Sequence, residues 1–413
     1  MDELVVVGNG MAGIACLEAL FGHAPDRYRV TVFGDEPGPN YNRILLSALL
    51  NGELEPDELV LHPLKWYAER GITLHLGARV ARLDRVRKRV VSEGGIEVGY
   101  HRLLLATGSS AFVLPIPGRE REGVFVFRTL EDCRKIALAS KRGRRAAVIG
   151  GGLLGLEAAR GLRNLGLEVT VVHLMDRLME RQLDPPGGAM LARAIRAQGI
   201  AVRLGTKTEE ILGDDDGRVR GLRFADGSEL DCELVVMAAG IVPNAELARS
   251  AGLACKRGVI VDDLLRTSDP DIFAVGECAE HRGICYGLVA PLYEQGRVLA
   301  AHLADRPTAP YEGSVVSTKL KVSGIDVFSA GDFAEDDGCE VARSEDSRAG
   351  IYRKLVLRDG RAVGAVLVGD LAPSAELDRC VRARAEVTEP GALLFGAAPE
   401  RSAAPPVVAL ADD

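Results

Sequence analysis

The sequence of 413 residues contains eight cysteines and no Cys-x-x-Cys pair. Cys16, Cys133, Cys232, Cys255, Cys278, Cys285, Cys339 and Cys380 are scattered. A redox dithiol needs two nearby thiols, one of them activated, so exit of electrons through an adjacent disulfide is not offered. Cys278, His281 and Cys285 are three soft ligands without an obvious fourth, a poor structural zinc site, and no metal is expected. A basic excess is also lacking. The 51 Lys and Arg face 59 Asp and Glu, for a formal net charge of −8, so nothing drives phosphate-backbone binding and nucleic acid is excluded as a partner. No apolar run approaches the roughly 18 residues that span a bilayer, and Met1-Asp2-Glu3-Leu4 is not a basic leader. The expectation is a cytoplasmic chain with no membrane contact. With 47% hydrophobic and 27% charged residues, the length suffices for two or three domains with their own cores.

What the chain has twice is a glycine fingerprint. Gly8-Asn9-Gly10-Met11-Ala12-Gly13 and Gly150-Gly151-Gly152-Leu153-Leu154-Gly155 each follow a short apolar run, residues 4–7 and 146–149. Helix-compatible stretches follow at 14–21 and 156–165. Each copy reads as strand, tight turn and helix. The first glycine permits the turn, the second lets backbone approach a pyrophosphate, and the third lets helix pack on strand. A helix N-terminus then offers free N–H groups to phosphates. Two such copies imply two dinucleotides. After the first, the strand at 29–33 runs into Asp35 and Glu36, and either carboxylate can accept hydrogen bonds from an adenosine ribose. The second copy has no acid at this place. Its strand at 168–172 meets His173, with Asp176 and Arg177 beyond, and His173 and Arg177 tolerate or hold a 2′-phosphate unless His173 is a strand-end residue without a ligand. The nucleotide is NADH or NADPH, undecided.

Further strands end in small residues. Leu103-Leu104-Leu105-Ala106-Thr107-Gly108-Ser109 lets the chain cross close beside a cofactor. Residues 234–240 end at Gly240, followed by Pro243-Asn244, and residues 272–275 end at Gly276-Glu277. A carboxylate there can bind a polyol hydroxyl or be a loop acid.

These residues resemble the two-dinucleotide-binding flavoprotein superfamily of pyridine nucleotide:disulfide oxidoreductases, over most of 1–305. The resemblance implies an α/β fold with two Rossmann-like three-layer domains of the glutathione-reductase type. It places FAD on the first fingerprint and its ribose on the acid after the second strand. A late Gly-Asp, here Gly276-Glu277, touches ribitol and diphosphate, and the middle fingerprint belongs to an inserted NAD(P)H domain.

A narrower resemblance rests on four segments: Asn40-Tyr41-Asn42-Arg43-Ile44-Leu45-Leu46-Ser47, Leu178-Met179-Glu180-Arg181-Gln182-Leu183-Asp184, Gly276-Glu277-Cys278-Ala279-Glu280-His281-Arg282-Gly283, and residues 317–328. It is similar to the N-terminal flavin module of the large subunit of NAD(P)H-dependent assimilatory nitrite reductases. By this resemblance Arg43 sits near the FAD diphosphate, against the alternative of a surface arginine. Rubredoxin and ferredoxin reductases often carry a lysine after the serine that matches Ser47; here stands Ala48. Glu157 lies in the first helical turn, where the dipole favours carboxylates, or orients the nicotinamide. The helix starting near Ala290-Pro291-Leu292 points its N-terminus at the flavin ring.

The implied organisation is an FAD domain of 1–115 and 240–305, an NAD(P)H domain of 116–239, a small α+β domain of 311–390 with an Asp359-Gly360 hairpin, a helix at 375–384, and a linker-like tail of 391–413. The chain ends without the iron–sulphur and sirohaem segments of the large subunit, so it is expected to oxidise NAD(P)H but not to reduce nitrite, which takes six electrons at a metal centre. It is a module of a longer chain or a separate subunit in nitrate assimilation. The expected partner is a redox protein, an iron–sulphur, rubredoxin-like or sirohaem subunit, and a homodimer is a further expectation. The other readings are a free-standing rubredoxin or ferredoxin reductase, an NADH oxidase or peroxidase, and a flavin redox sensor.

Overall fold

A computed structural model describes residues 1–322 and 324–395. Ser323 of the 317–328 motif and residues 396–413 of the expected tail lie outside the described residues. The chain divides into two compact units, Met1–Leu178 with Ile195–Val316, and Met179–Ala194 with the segment from Ser317 on.

The first unit repeats one plan. Asp2–Val7 pairs in parallel with Tyr28–Phe33 on one side and Arg102–Leu105 on the other, and Ile272–Ala274 and Thr73–His75 complete a five-stranded sheet. In the second sheet Arg145–Ile149 takes the same central place between Glu168–Val172 and Leu234–Met237, with Ile200–Arg203 and Val124–Val126 at the edges. The central strands are unbroken apolar runs because both faces of a parallel sheet are covered; Leu4 to Val7 and Ala146 to Ile149 are all buried. Each sheet is accompanied by a three-stranded antiparallel ribbon, Val80–Asp84 to Glu97–Gly99 and Thr208–Gly213 to Glu229–Asp231. The first sheet thus draws its strands from residues 2–105 and 272–274, and the second from 124–237.

The glycine loops leave the central strands, so both lie at the carboxyl ends, where parallel sheets bind ligands. Helices Met11–His23 and Leu153–Asn164 begin earlier than the sequence suggested, because Gly10 and Gly152 themselves are the N-caps. Met11–His23 packs against Val289–Leu303 at short range: a Cβ on Gly296 would stand 3.3 Å from the Cys16 backbone nitrogen. Burial pushes the Cys16 thiol up to about 12, which keeps it a packing group.

In the second unit Ser317–Val322, Ile325–Gly331, Arg361–Val368, Ile351–Arg358 and Glu340–Asp346 form an antiparallel sheet in that spatial order. Asp359 and Gly360, at φ 52° and 70°, make the two-residue hairpin turn between its longest strands. Helices Ser374–Ala383 and Pro390–Phe395 cover it, and Leu377, Val381, Leu393 and Leu394 are buried. Residues 390–395 are therefore helical where the sequence suggested the start of a linker. The helix Pro185–Ala197 starts in this unit, and Met179–Ala194 groups here although it falls inside the stretch expected for the NAD(P)H domain.

The reason is polar. Lys354 is 1% exposed and its Nζ meets Phe333 O at 2.9 Å, Glu335 at 2.9 Å and Asp184 at 3.1 Å. Tyr352 donates its hydroxyl to Asp184 Oδ2 at 2.6 Å. Asp184 also accepts the Gly187 amide of the following helix. Removing one member of a buried ion pair strands the other, so Lys354→Ala is expected to cost about 3 kcal/mol of second-unit stability, read as a lowered urea midpoint by Tyr fluorescence. An unchanged midpoint would show that the network is not stabilising.

Candidate functional site

Each loop is built on the same contacts. Gly8, at φ 119°, donates its N–H to Phe33 O at 2.8 Å, and a Cβ there would stand 2.0 Å from Ala106 O. Gly150, at φ 128°, donates to Val172 O at 2.9 Å, and a Cβ would stand 2.2 Å from Ala238 O. Gly13 and Gly155 press the helix on the loop: a Cβ on the latter would lie 2.1 Å from Gly150 O. By contrast a Cβ on Gly10 or Gly152 meets nothing within 4 Å. Neither helix has a side-chain cap or an acid in its first turn. Free N–H groups at an open helix end with room before them suit the phosphates of a dinucleotide, and Met11, Ala12, Leu153 and Leu154 lie in those first turns. By this test each loop fits the phosphates of a dinucleotide.

Around the first loop the polar groups are drawn into clusters. Glu36 is paired with Arg43 through Oε1 and accepts the Tyr41 hydroxyl at 2.9 Å. Arg43 also donates to Tyr41 Oη at 3.0 Å and to Arg128 O at 3.1 Å. It is thus tied inward rather than being a surface arginine, and Asp35 is the exposed member of the acidic pair. Thr107 Oγ1 donates to Asn244 O at 2.7 Å while the Asn244 amide donates to Thr107 O at 2.8 Å. This clasp holds the Ala106-Thr107-Gly108 crossing against the segment after Gly240, whose φ is 123°.

Glu277 does not stand free. It is ion-paired with Arg128 and accepts Ser109 Oγ at 2.8 Å, and Arg128 in turn donates to Ser109 Oγ at 2.9 Å. Gly276 N–H is held by the fully buried Gln295 at 2.9 Å. Gln295 lies on Val289–Leu303, whose first turn carries the buried Pro291 and Leu292 and whose N-cap Leu288 makes no side-chain bond. Arg128 and Gln295 are not among the site residues expected from the sequence, and Asn244 is noted there only as following Gly240. A signal existed for the first: Arg128 precedes the Thr129–Asp132 capping box.

Around the second loop the first-turn reading of Glu157 changes. Glu157 is the fifth residue of Leu153–Asn164, beyond the first turn, so the dipole accounts for little of its place. It faces Leu46–Leu50 instead. Its carboxyl bonds the Ser47 side chain, and burial, opposed only by that bond, pushes it up to about 7. The two helices meet closely because Gly161 has no side chain; a Cβ there would stand 2.6 Å from Leu50. Ala48 supplies no cation to this carboxyl. His173 does not point outward: it is buried and its Nδ1 accepts the Gly151 N–H at 3.0 Å. Arg177 pairs with its neighbour Asp176 at 2.9 Å.

Elsewhere, Cys278 donates to Val275 O at 3.3 Å and His281 meets Asp263 at 2.8 Å, and no metal-binding cluster occurs among the described residues. A surface cavity lined by Arg145, Arg163, Glu168 and Gly199 lies at the strand N-termini of the second sheet, away from both loops. No helix among the described residues is long and apolar enough to cross a membrane.

Residues 2–307 match the family described as pyridine nucleotide-disulphide oxidoreductase, and residues 317–385 the rubredoxin NAD+ reductase C-terminal domain. The chain is 50% identical over 387 residues to a nitrite reductase [NAD(P)H] of Bacillus subtilis (strain 168), covering 94% of this chain and 48% of that protein. To an assimilatory nitrate reductase electron transfer subunit of the same organism it is 45% identical, covering 89% and 48%. It spans about half the length of these curated relatives. Among solved structures, the covalent putidaredoxin reductase–putidaredoxin complex is similar with a TM-score of 0.85 at 28% identity, over 95% of each chain. The chain belongs to the pyridine nucleotide-disulphide oxidoreductase family, as an FAD-dependent NAD(P)H oxidoreductase.

Proposed function

We propose that this chain is the electron-input module of a nitrite reductase system, taking electrons from NAD(P)H and passing them to a protein acceptor. The observation that carries it is the duplicated open loop within one unit, the second helix meeting the first half through Glu157 and Ser47. The nitrite reductase relative at 50% identity supplies the system. When bound, FAD supplies hydride acceptance from reduced nicotinamide and release of electrons one at a time. The residues supply binding and alignment. Gly8, Gly10 and Gly13 would hold its pyrophosphate, Asp35 or Glu36 its ribose, and Arg43 would lend charge to its phosphates. Ala106 to Gly108, Gly240, Gly276, Glu277, Pro291 and Leu292 would line the rest. Gly150 to Gly155 would hold NAD(P)H. Residues 1–115 with 240–305 then form the FAD domain and 116–239, apart from 179–194, the NAD(P)H domain, as their separate sheets support.

A redox partner accompanies this function. Its identity as an iron–sulphur, rubredoxin-like or sirohaem protein, a homodimer, and a cytoplasmic setting, which the eight free cysteines suit, belong to the same proposal. A second reading, a free-standing rubredoxin or ferredoxin reductase, is favoured by the match of residues 317–385. An oxidase or peroxidase using a cysteine near the flavin is disfavoured by the buried, inert Cys16. Anaerobic titration with NADH, then NADPH, should bleach the flavin bands, and adding the sirohaem partner, a rubredoxin or a ferredoxin should restore them. Faster recovery with rubredoxin would move the second reading ahead, and failure of both nucleotides to bleach would remove the first.

A further inference from the structure

The two loops can be compared position by position because the same backbone hydrogen bonds recur around them. In the first copy Gly8 N–H bonds Phe33 O, Gly34 N–H bonds His75 O, Ala78 N–H bonds Gly34 O and Gly77 N–H bonds Glu36 O, at 2.8, 2.8, 2.8 and 3.0 Å. In the second, Gly150 bonds Val172 O, His173 bonds Arg203 O, Thr206 bonds His173 O and Gly205 bonds Met175 O, at 2.9, 2.8, 2.9 and 2.8 Å. Gly34, Asp35 and Glu36 therefore correspond to His173, Leu174 and Met175, and Asn9 corresponds to Gly151.

The comparison exposes an exchange of side chains. In the first copy the loop residue is large and the strand-end residue is glycine: a Cβ on Gly34 would stand 3.0 Å from Asn9 Cβ. In the second the loop residue is glycine and the strand end carries the ring: a Cβ on Gly151 would stand 2.7 Å from the His173 imidazole. The same small space is filled from the opposite side. His173 adds a directed bond, because its Nδ1 lies 3.0 Å from the Gly151 nitrogen. An amide can only donate, so this Nδ1 is unprotonated. Meanwhile the carboxylates of the first copy have no counterpart: Leu174 and Met175 are apolar, 61% and 43% exposed.

We propose that His173 is a positioning residue of the second phosphate loop, fixing the Gly151 amide from beneath, and that it does not read the 2′ position of the adenosine ribose. The proposal rests on the assignment of NAD(P)H to this loop. A loop held in its binding conformation before the ligand arrives spends no binding energy on ordering. The benefit falls equally on NADH and NADPH, since the held amide lies on the phosphate side.

The test uses the FAD-loaded protein and the oxidised nucleotides NAD+ and NADP+, whose binding is measured by calorimetry without turnover. His173→Leu keeps an apolar filler and removes the acceptor, whereas the side-chain oxygen of His173→Asn can take the place of Nδ1. A buried N–H left without its acceptor should weaken NAD+ and NADP+ by the same factor, on the order of tenfold, in His173→Leu. His173→Asn should recover most of the loss. In wild-type protein free of nucleotide, the Gly151 amide should also be protected from hydrogen exchange, a readout that needs no variant to fold. Unchanged affinities in His173→Leu, a loss confined to NADP+, or a rapidly exchanging Gly151 amide would each overturn the proposal alone. Absence of nucleotide binding in wild-type, flavin-loaded protein would overturn it together with the loop assignment.

Discussion

Gly10→Val is expected to give a folded protein without flavin, and Gly152→Val a yellow protein that neither NADH nor NADPH can bleach. The expectation comes from what a side chain would meet at these two positions. Both residues have ordinary extended backbone, φ −88° and −81°, and a Cβ on either touches nothing within 4 Å. The fold therefore leaves room for a side chain at both positions. The methyl groups of valine, however, occupy the space in front of helix N-termini that no side chain caps, where the phosphates must come to reach the free N–H groups. Losing that approach should weaken binding by at least about 100-fold, roughly 2.7 kcal/mol. Gly8 and Gly150 do not serve for this test, because their positive φ and the 2.0 and 2.2 Å approaches to Ala106 O and Ala238 O would damage the fold itself. Flavin content of the purified protein reads the first variant. The second is read by dithionite, which should bleach Gly152→Val while the nucleotides do not. If Gly152→Val loses flavin and Gly10→Val keeps it, the two loops have been assigned the wrong way round.

The loops were legible in the sequence because their geometry is local. A turn needing positive φ at Gly8 or Gly150 and a helix packed tightly at Gly155 are demands that only glycine meets, within a few residues of an apolar strand. The C-terminal hairpin at Asp359-Gly360 was legible on the same ground. What was hidden depends on partners far apart in the chain. Arg128 and Glu277 are 149 positions apart, and Thr107 and Asn244 are 137 apart, so no window of sequence contains both members. His173 was seen at the right strand end but with its direction open, since direction depends on whether Gly151 leaves room beneath the loop. Met179–Ala194 grouped with the second unit for a like reason: Asp184 is held by Tyr352 and Lys354, and a buried lysine has to be paired wherever its partner lies in the chain. Glu157 was singled out, but its distance from the helix start and its contact with Ser47 became plain only when both helices were in place.

Reduction of the flavin by NADH should speed up as pH rises through about 7, with a single-proton dependence that disappears in Glu157→Gln. The carboxyl is pushed up to about 7 by burial, and only the Ser47 hydrogen bond opposes the shift. Near neutrality it therefore changes charge, and Ala48 beside Ser47 offers it no counter-charge. The reduced nicotinamide becomes cationic on giving up hydride, so an ionised carboxyl near it favours the product side and a protonated one does not. Stability should move the opposite way. An acid whose folded pKa is raised contributes fully below its unfolded value, near 4.3, and that contribution is lost as pH climbs through about 7. Glu157→Gln should accordingly exceed wild type in thermal midpoint by much more at pH 8.5 than at pH 5. Stopped-flow bleaching across this range and melting curves at its ends measure both effects. A wild-type rate that is flat through neutrality, or an inflection that survives in Glu157→Gln, would show that Glu157 does not face the nicotinamide. A flat rate accompanied by the expected pH-dependent stability difference would keep the carboxyl's buried proton while removing it from the transfer path.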